Sequence, residues 1–258
     1  MHVICCIYDG TEKQDCEINA DKRLVRKIRE THPKLKIIIN ADGLYSKQPF
    51  IEEVKASGMS YILVANPSDH KILFEWVHDI TNLGGGNRFE LYDSKKRRHI
   101  YQWVNQAPLN GTKDADNVNF FQYQIITEDE KISYKNSWVT DIEIDRNNIV
   151  DLVKGGRCRW KIENETFNTL KNQGYHLEHN FGHGKQNLSE VFFRLNLLVF
   201  LVHQILELTD RLYQQVRGKS SSRKEFWNQL LCTVRVLIFR NWQHLLEFLY
   251  KPPEIETP

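Results

Sequence analysis

The residues best suited to chemistry lie between Arg157 and Gly184, in RCRWKIENETFNTLKNQGYHLEHNFGHG. Glu163 stands four residues after Arg159 and four before Phe167, so on an α-helix the three share one face. Lys171 follows about two turns later, and then comes a segment crowded with Gly, Asn and His. A carboxylate set among cations suits work on a metal ion beside a phosphate chain: the carboxylate holds the cation, and the basic groups hold the phosphates. An ordinary solvated helix with charge pairs shows the same pattern. Asp42 is the second candidate. It follows the apolar run LKIIIN and precedes Gly43, a setting that also suits a plain turn. Asp42 and Glu163 are 121 residues apart, so only a fold can join them. Carboxylates gathered at one point repel one another unless divalent cations neutralise them, a need that two-metal strand transfer meets.

The elements that must position these acids follow from periodicity. Residues 1–8 read as an apolar strand, and 14–31 as a helix that ends before His32-Pro33. Residues 35–40 form an unbroken apolar run, expected as a buried strand of a partly parallel sheet. Asp42 then falls just past the carboxyl end of that strand, where open α/β sheets collect their sites. Residues 48–57 read as a helix and 61–65 as a second buried strand, which together imply βαβ units. At Gly84-Gly85-Gly86 the texture changes. The run lacks the Gly-Lys-Ser/Thr ending of a nucleotide loop and reads as a flexible hinge. From 88 to 144 the apolar runs are short, alternating and aromatic, as in an antiparallel β insertion. A helix over 149–173 carries Glu163. Two long helices, 188–215 and 223–250, follow it, and the tail 252–258 reads as disordered. The chain then divides as 1–83, 84–146, 147–187, 188–251 and 252–258.

Arg159, Trp160, Ile162, Glu163, Asn164, Phe167, Leu170 and Lys171 resemble the last catalytic helix of DDE transposases from bacterial insertion sequences, in the branch with the motif Y-x2-R-x3-E-x6-K. Ala41-Asp42-Gly43-Leu44-Tyr45-Ser46-Lys47 looks like the second catalytic Asp with its flank, and Trp138-Val139-Thr140-Asp141 like the strand before the final helix. The resemblance spans nearly the whole chain, from Lys13 to Leu249. It departs from the motif twice: Gly156 stands at the Tyr position, and Lys171 comes one residue late, after Leu170. The resemblance implies an incomplete RNase H-like α/β core with an antiparallel β insertion and a helical C-terminal segment. It implies Mg2+ or Mn2+ held by Asp42 and Glu163, with Arg159 and Lys171 on phosphates and Asn164 supporting the helix face. The implied partner is DNA at transposon terminal inverted repeats, bound by a homodimer in the complete enzyme, in the bacterial cytoplasm at the nucleoid. Such an enzyme cuts and rejoins DNA ends with a metal-activated water or 3′-hydroxyl. A non-catalytic end-binding remnant or regulator, and a metal-dependent nuclease, are the two alternative classes.

The first acid of a DDE set is expected to be missing. Asp9 follows the apolar run Val3 to Ile7, but an RNase H-like core needs two further strands and a helix between its first and second acids. One helix and one strand separate Asp9 from Asp42. In relatives, the stretch resembling Lys13 to Ala20 lies well after the first acid. The chain is therefore expected to be the C-terminal part of a longer transposase, unable to cut alone.

Lys95, Lys96, Arg97 and Arg98 form a basic run, suited to DNA phosphates or to a solvated turn. Trp103, beside that run, is the aromatic best placed to stack on an unpaired base, against the alternative of a cross-strand aromatic pair. His176, His179 and His183 cluster without a Cys at zinc spacing, which argues against a zinc site. With 258 residues, 41% hydrophobic and net charge +2, the chain suits one large or two small domains and has no global basic field. Five cysteines in odd number, without a C-x2-C, point to reduced thiols in a cytosolic protein. The longest apolar stretch, 195–206, reads as a core helix too short for a bilayer, so no membrane partner is expected.

Overall fold

The computed structural model describes residues 17–179, 182 and 187–252, with Glu163 described in its backbone alone. The expected first strand, Asp9, Cys5, Cys6, Cys16, His183 and residues 253–258 of the expected tail lie outside the described residues. The chain divides into two compact units, Met1–Arg159 and Trp160–Pro258.

The first unit begins with the alternation read from the sequence: α1 (Glu17–Thr31), β1 (Ile38–Ala41), α2 (Gln48–Ala56), β2 (Ser60–Val64) and α3 (Lys71–Asn82). Four antiparallel strands follow, β3 (Asn87–Tyr92), β4 (Arg98–Pro108), β5 (Asn117–Ile126) and β6 (Ile132–Thr140), and then α4 (Ile149–Lys161). Among the described residues the sheet runs β1-β2-β6-β5-β4-β3, parallel between β1 and β2 and antiparallel elsewhere. The expected β insertion is therefore a continuation of the same sheet. Its last strand pairs with β2, Ile62 opposite Thr140.

Side chains two apart on a strand share a face, and that period sorts the core. Tyr61 and Leu63 turn to the side of α1, α2 and α3, where they meet Val25, Phe50, Ile51, Val54 and Leu73. Ile62 and Val64 turn to the other side, with Phe121, Trp138, Ile149, Leu152 and Val153. Two expectations need correction here. The run 35–40 was expected to be a buried strand; among the described residues β1 stands at the end of the strand order, and its Ile38 is 52% exposed. The glycines at 84–86 are an ordered helix end: Gly84 takes φ +81, and the Gly85 N–H donates to the Ile80 carbonyl at 2.9 Å. A Cβ at Gly85 would come within 2.8 Å of Ile80 Cγ2. This is a glycine stop of the α3 helix.

In the second unit the helix of the motif continues as a π turn (Ile162–Phe167) and α5 (Asn168–Asn172). The two expected long helices are four: α6 (Leu188–Thr209), α7 (Arg211–Lys219), α8 (Arg223–Val236) and α9 (Trp242–Tyr250). Asp210 and Asn241 break them, each side chain accepting the N–H three residues on, from Tyr213 and His244. Tyr213, Val216, Phe226, Leu230, Leu245 and Leu246 form the buried cluster. The apolar helix is longer and more exposed than expected. α6 has 22 residues, is long and apolar enough to cross a membrane, and buries His203 alone. It is not a core helix; its apolar residues lie largely at the surface.

Candidate active site

Asp42 directly follows β1, on a loop that several buried contacts hold rigid. Its Oδ1 accepts the Leu44 N–H at 2.9 Å, and the rest of the carboxylate faces solvent. A Cβ on Gly43 would stand 2.4 Å from Asn66 Nδ2, so a larger residue there would push the Asn66 amide aside where the loop meets the turn after β2. Ser46 Oγ and His70 Nε2, both buried, form a short hydrogen bond beneath it. Burial pushes the His70 imidazole below its ordinary pKa. Tyr45 donates its hydroxyl to Glu17 at 2.8 Å and packs on Phe50. The stretch Asp42 to Ser46 is thus mostly scaffolding that presents one carboxylate at the carboxyl ends of two parallel strands. Asn66 and Asp69, which donate and accept a 3.3 Å hydrogen bond, share that end. Sequence reading passed over both, because a turn after a buried strand carries no catalytic signature.

Glu163 lies on the π turn of the second unit, and that turn changes the geometry expected of a plain helix. With i→i+5 closure, residues four apart no longer stack, so Glu163 and Phe167 do not keep the shared face. The wider turn bears on the late lysine. Seven α-helical positions return a residue to within about 20° of its starting direction, whereas eight leave it about 80° away. A π turn takes up about one extra residue. The eight-residue step from Glu163 to Lys171 then acts as a seven-residue step, and position 171 returns toward the face of position 163. Lys171 pairs with Glu178 at 2.7 Å. Asn164 donates its side-chain amide to the Trp160 carbonyl at 3.1 Å. Arg159 is half-buried at the end of the first unit.

The departure at Gly156 has a physical cause. A Cβ there would lie 2.7 Å from two atoms of the Trp138 indole, and one on Gly155 would lie 3.1 Å from Ile62 Cδ1. The glycine pair lets α4 sit close on the sheet, and the Gly155 carbonyl accepts a 2.6 Å hydrogen bond from Asn40. A tyrosine has no room at position 156.

The basic run lies at the tip of the β3–β4 hairpin, facing acids of the β5–β6 tip. Lys96 pairs with Glu128 at 2.9 Å, Arg97 with Asp93 at 2.6 Å and Arg98 with Glu130 at 2.8 Å. The Arg97 contact holds the Asp93 carboxyl well below the usual range. Lys95 stands in the same turn, its N–H donated to Asp93. This is a mixed-charge surface, not a bare cationic one. Trp103 is 6% exposed and packs in the cluster under α4, so its ring offers no open face to a base. The cross-strand alternative describes it, as it does the Phe121–Trp138 stack at 5.2 Å.

No family model matches this chain, and no curated protein matches it. Any metal must therefore be judged on the residues themselves. Among the described residues no three His, Cys, Asp or Glu side chains gather as a metal group. The Asp42 end of the sheet offers hard oxygen donors, Asp42 with Asp69 nearby, while the one imidazole there, His70, is buried against Ser46. That chemistry fits an oxygen-seeking ion such as Mg2+, which takes few protein carboxylates.

Proposed function

We propose that this chain is a DDE-type transposase polypeptide with an RNase H-like core, which binds transposon DNA ends and does not cleave them by itself. The observation that carries the reading is the Asp42 loop, rigid, exposed and placed just past the carboxyl end of a parallel strand. The π turn adds support, since it accounts for the one departure from the motif's Glu-to-Lys spacing.

The resemblance assigns Mg2+ or Mn2+ to Asp42 and Glu163, and such an ion would supply an activated attacking oxygen and a neutralised leaving one. Around it, Lys171 and Arg159 would hold phosphate oxygens, with Lys171 exchanging Glu178 for DNA. Asn164 keeps the widened helix turn closed through Trp160. The Ser46–His70 pair and Gly43 fix where the Asp42 carboxylate points.

Cleavage needs a further carboxylate shared by both metals. Asp9 is the tempting choice, but α1 and β1 are the elements described between it and Asp42. The test is binding to terminal inverted repeats with and without magnesium, alongside a cleavage assay of the wild type and Asp9→Ala. Selective binding of the repeats with background cleavage is expected. Robust cutting abolished by Asp9→Ala would make Asp9 the first acid and the chain an active enzyme. Cutting without preference for the repeats would indicate a simple nuclease, and no DNA binding at all would refute the family reading.

A further inference from the structure

A cleft runs between α3 and the sheet of the first unit. Its volume of about 480 Å³ falls in the range of small-molecule sites. Phe74 and Val77 of α3 form one wall, and Val104 of β4 with Phe120 of β5 form the floor. The Phe74 and Phe120 rings meet edge-on at 5.2 Å, and Val104 and Phe120 are buried, so the apolar part is preformed. The glycine stop of α3 shuts one end: a Cβ on Gly86 would stand 2.9 Å from Thr81 Oγ1 and 3.4 Å from Thr81 Cα. Beside the floor lies a polar row across three strands, Arg88 opposite Gln102 and Gln102 opposite Gln122. The two glutamines stand two residues from Val104 and Phe120, so all four share one side of the sheet. Trp103 turns its ring to the other side, into the cluster under α4, and gives the cleft no ring to stack on. Arg88 is already committed, its Nε donating to Glu90 at 2.7 Å. The glutamines are not. Among the described residues their side chains share one long contact, Gln122 Nε2 to Gln102 Oε1 at 3.5 Å. That leaves one amide donor and one amide acceptor side by side, half-buried and without a protein partner.

We propose that this cleft binds a small, planar, uncharged heteroaromatic ligand that carries a lactam or carboxamide edge. The ring system fills the space between Phe74, Val77, Val104 and Phe120, where burial of its apolar faces drives binding. An amide edge presents one N–H and one C=O together, the complement of what Gln102 and Gln122 leave open. Hydrogen bonds to that pair fix the ligand's orientation, because a ligand without them strands two half-buried polar groups. A charged ligand has less to gain: Glu90 neutralises the guanidinium in the wall, and no carboxylate lines the cleft. The inference does not depend on the transposase reading.

Titration of the full chain with carbostyril, a bicyclic lactam, followed by ligand-observed NMR, tests the proposal. The comparison compound is its O-methyl ether, which keeps the rings and loses the N–H donor. Saturable binding of the lactam is expected, about 10-fold tighter than that of the ether, the factor that one hydrogen bond in a partly dry site supplies. Gln102→Leu should weaken the lactam by about the same factor and leave the ether unchanged. His78→Trp, at an exposed position of the helix wall, should fill the cleft and block both compounds. Should a variant fail to fold, the two compounds on the unaltered chain still decide. Absence of saturable lactam binding, or equal affinity for the ether, overturns the proposal. So does lactam binding that folded Gln102→Leu and His78→Trp both leave intact.

Discussion

Acid should unfold the second unit through one imidazole. His203 is 7% exposed, its ring 4.4 Å from that of Trp227 and 6.1 Å from that of Tyr213, and its Nδ1 lies 2.9 Å from the Tyr175 hydroxyl. Burial first, and the nearby Arg223 charge second, push its pKa down to about 4 from an ordinary 6.5. Arg223 is itself paired with Glu207 at 2.7 Å, so that carboxylate screens part of its charge. The folded pKa lies below the unfolded one, so the unfolded chain takes up the proton first. Stability from the neutral ring is therefore complete above pH 6.5 and drains away as pH falls toward 4. At about 1.4 kcal/mol per pH unit over that window, the loss approaches 3 kcal/mol. Urea unfolding followed by tryptophan emission, at about pH 7 and about pH 4.5, measures it in the wild type and in His203→Gln. Glutamine cannot titrate but can still reach the Tyr175 hydroxyl. Other carboxylates titrate equally in both proteins, so the difference between them isolates the ring. The wild type should lose about 2–3 kcal/mol more than the variant over this range. Equal losses would refute the account.

Three further outcomes are expected. Gly156→Tyr, which restores the family motif on paper, should destabilise the first unit by overpacking against Trp138, by about 3 kcal/mol or more in thermal or denaturant melts, whereas Gly156→Ala should cost about 1–3 kcal/mol; a neutral tyrosine would show that α4 can lift off the sheet. Deleting Thr166 sets Glu163 and Lys171 seven apart and should turn the π turn into plain α-helix with helicity and DNA binding preserved, an idea that loss of helical circular dichroism would defeat. Replacing Lys95, Lys96, Arg97 and Arg98 together by Ala should weaken DNA binding and flatten its salt dependence by about one to two units of slope rather than the ~3.6 that four free phosphate contacts would give, because three of these cations already have acidic partners; an unchanged slope would remove the run from the DNA surface.

The sequence made the first unit legible where local patterning and tertiary packing agree. The period-two alternation of 88–144 and the apolar runs near 38 and 61 became strands, and Asp42 lies where the reading put it, past a strand end. What the runs could not reveal was position in the sheet. LKIIIN looks buried because its residues are apolar, yet among the described residues β1 pairs on one side alone, and Ile38 is half-exposed. The π turn was hidden for a different reason. Nothing in IENETF differs from a good α-helix, and the one visible hint was a lysine arriving a residue late. Asp210 and Asn241 were readable as helix starts, but their caps lay inside apolar stretches that suggested continuity. The charge partners of Lys96 and Arg98 are 32 residues away on another hairpin, beyond any local pattern.

The order of strands also bears on how the first unit assembles in time. β3 to β6 join neighbours in sequence, so each pairing closes a short loop, and the meander can zip up hairpin by hairpin. The β2–β6 pairing joins Ile62 to Thr140 across the whole meander, and it has no template until β6 is in place. On a ribosome, the strand pair that carries Asp42 would leave the tunnel before the meander and yet dock on it afterwards, waiting for Trp138 and Val139 to arrive. The Asp42 loop is thus made before the meander and takes its final shape after it.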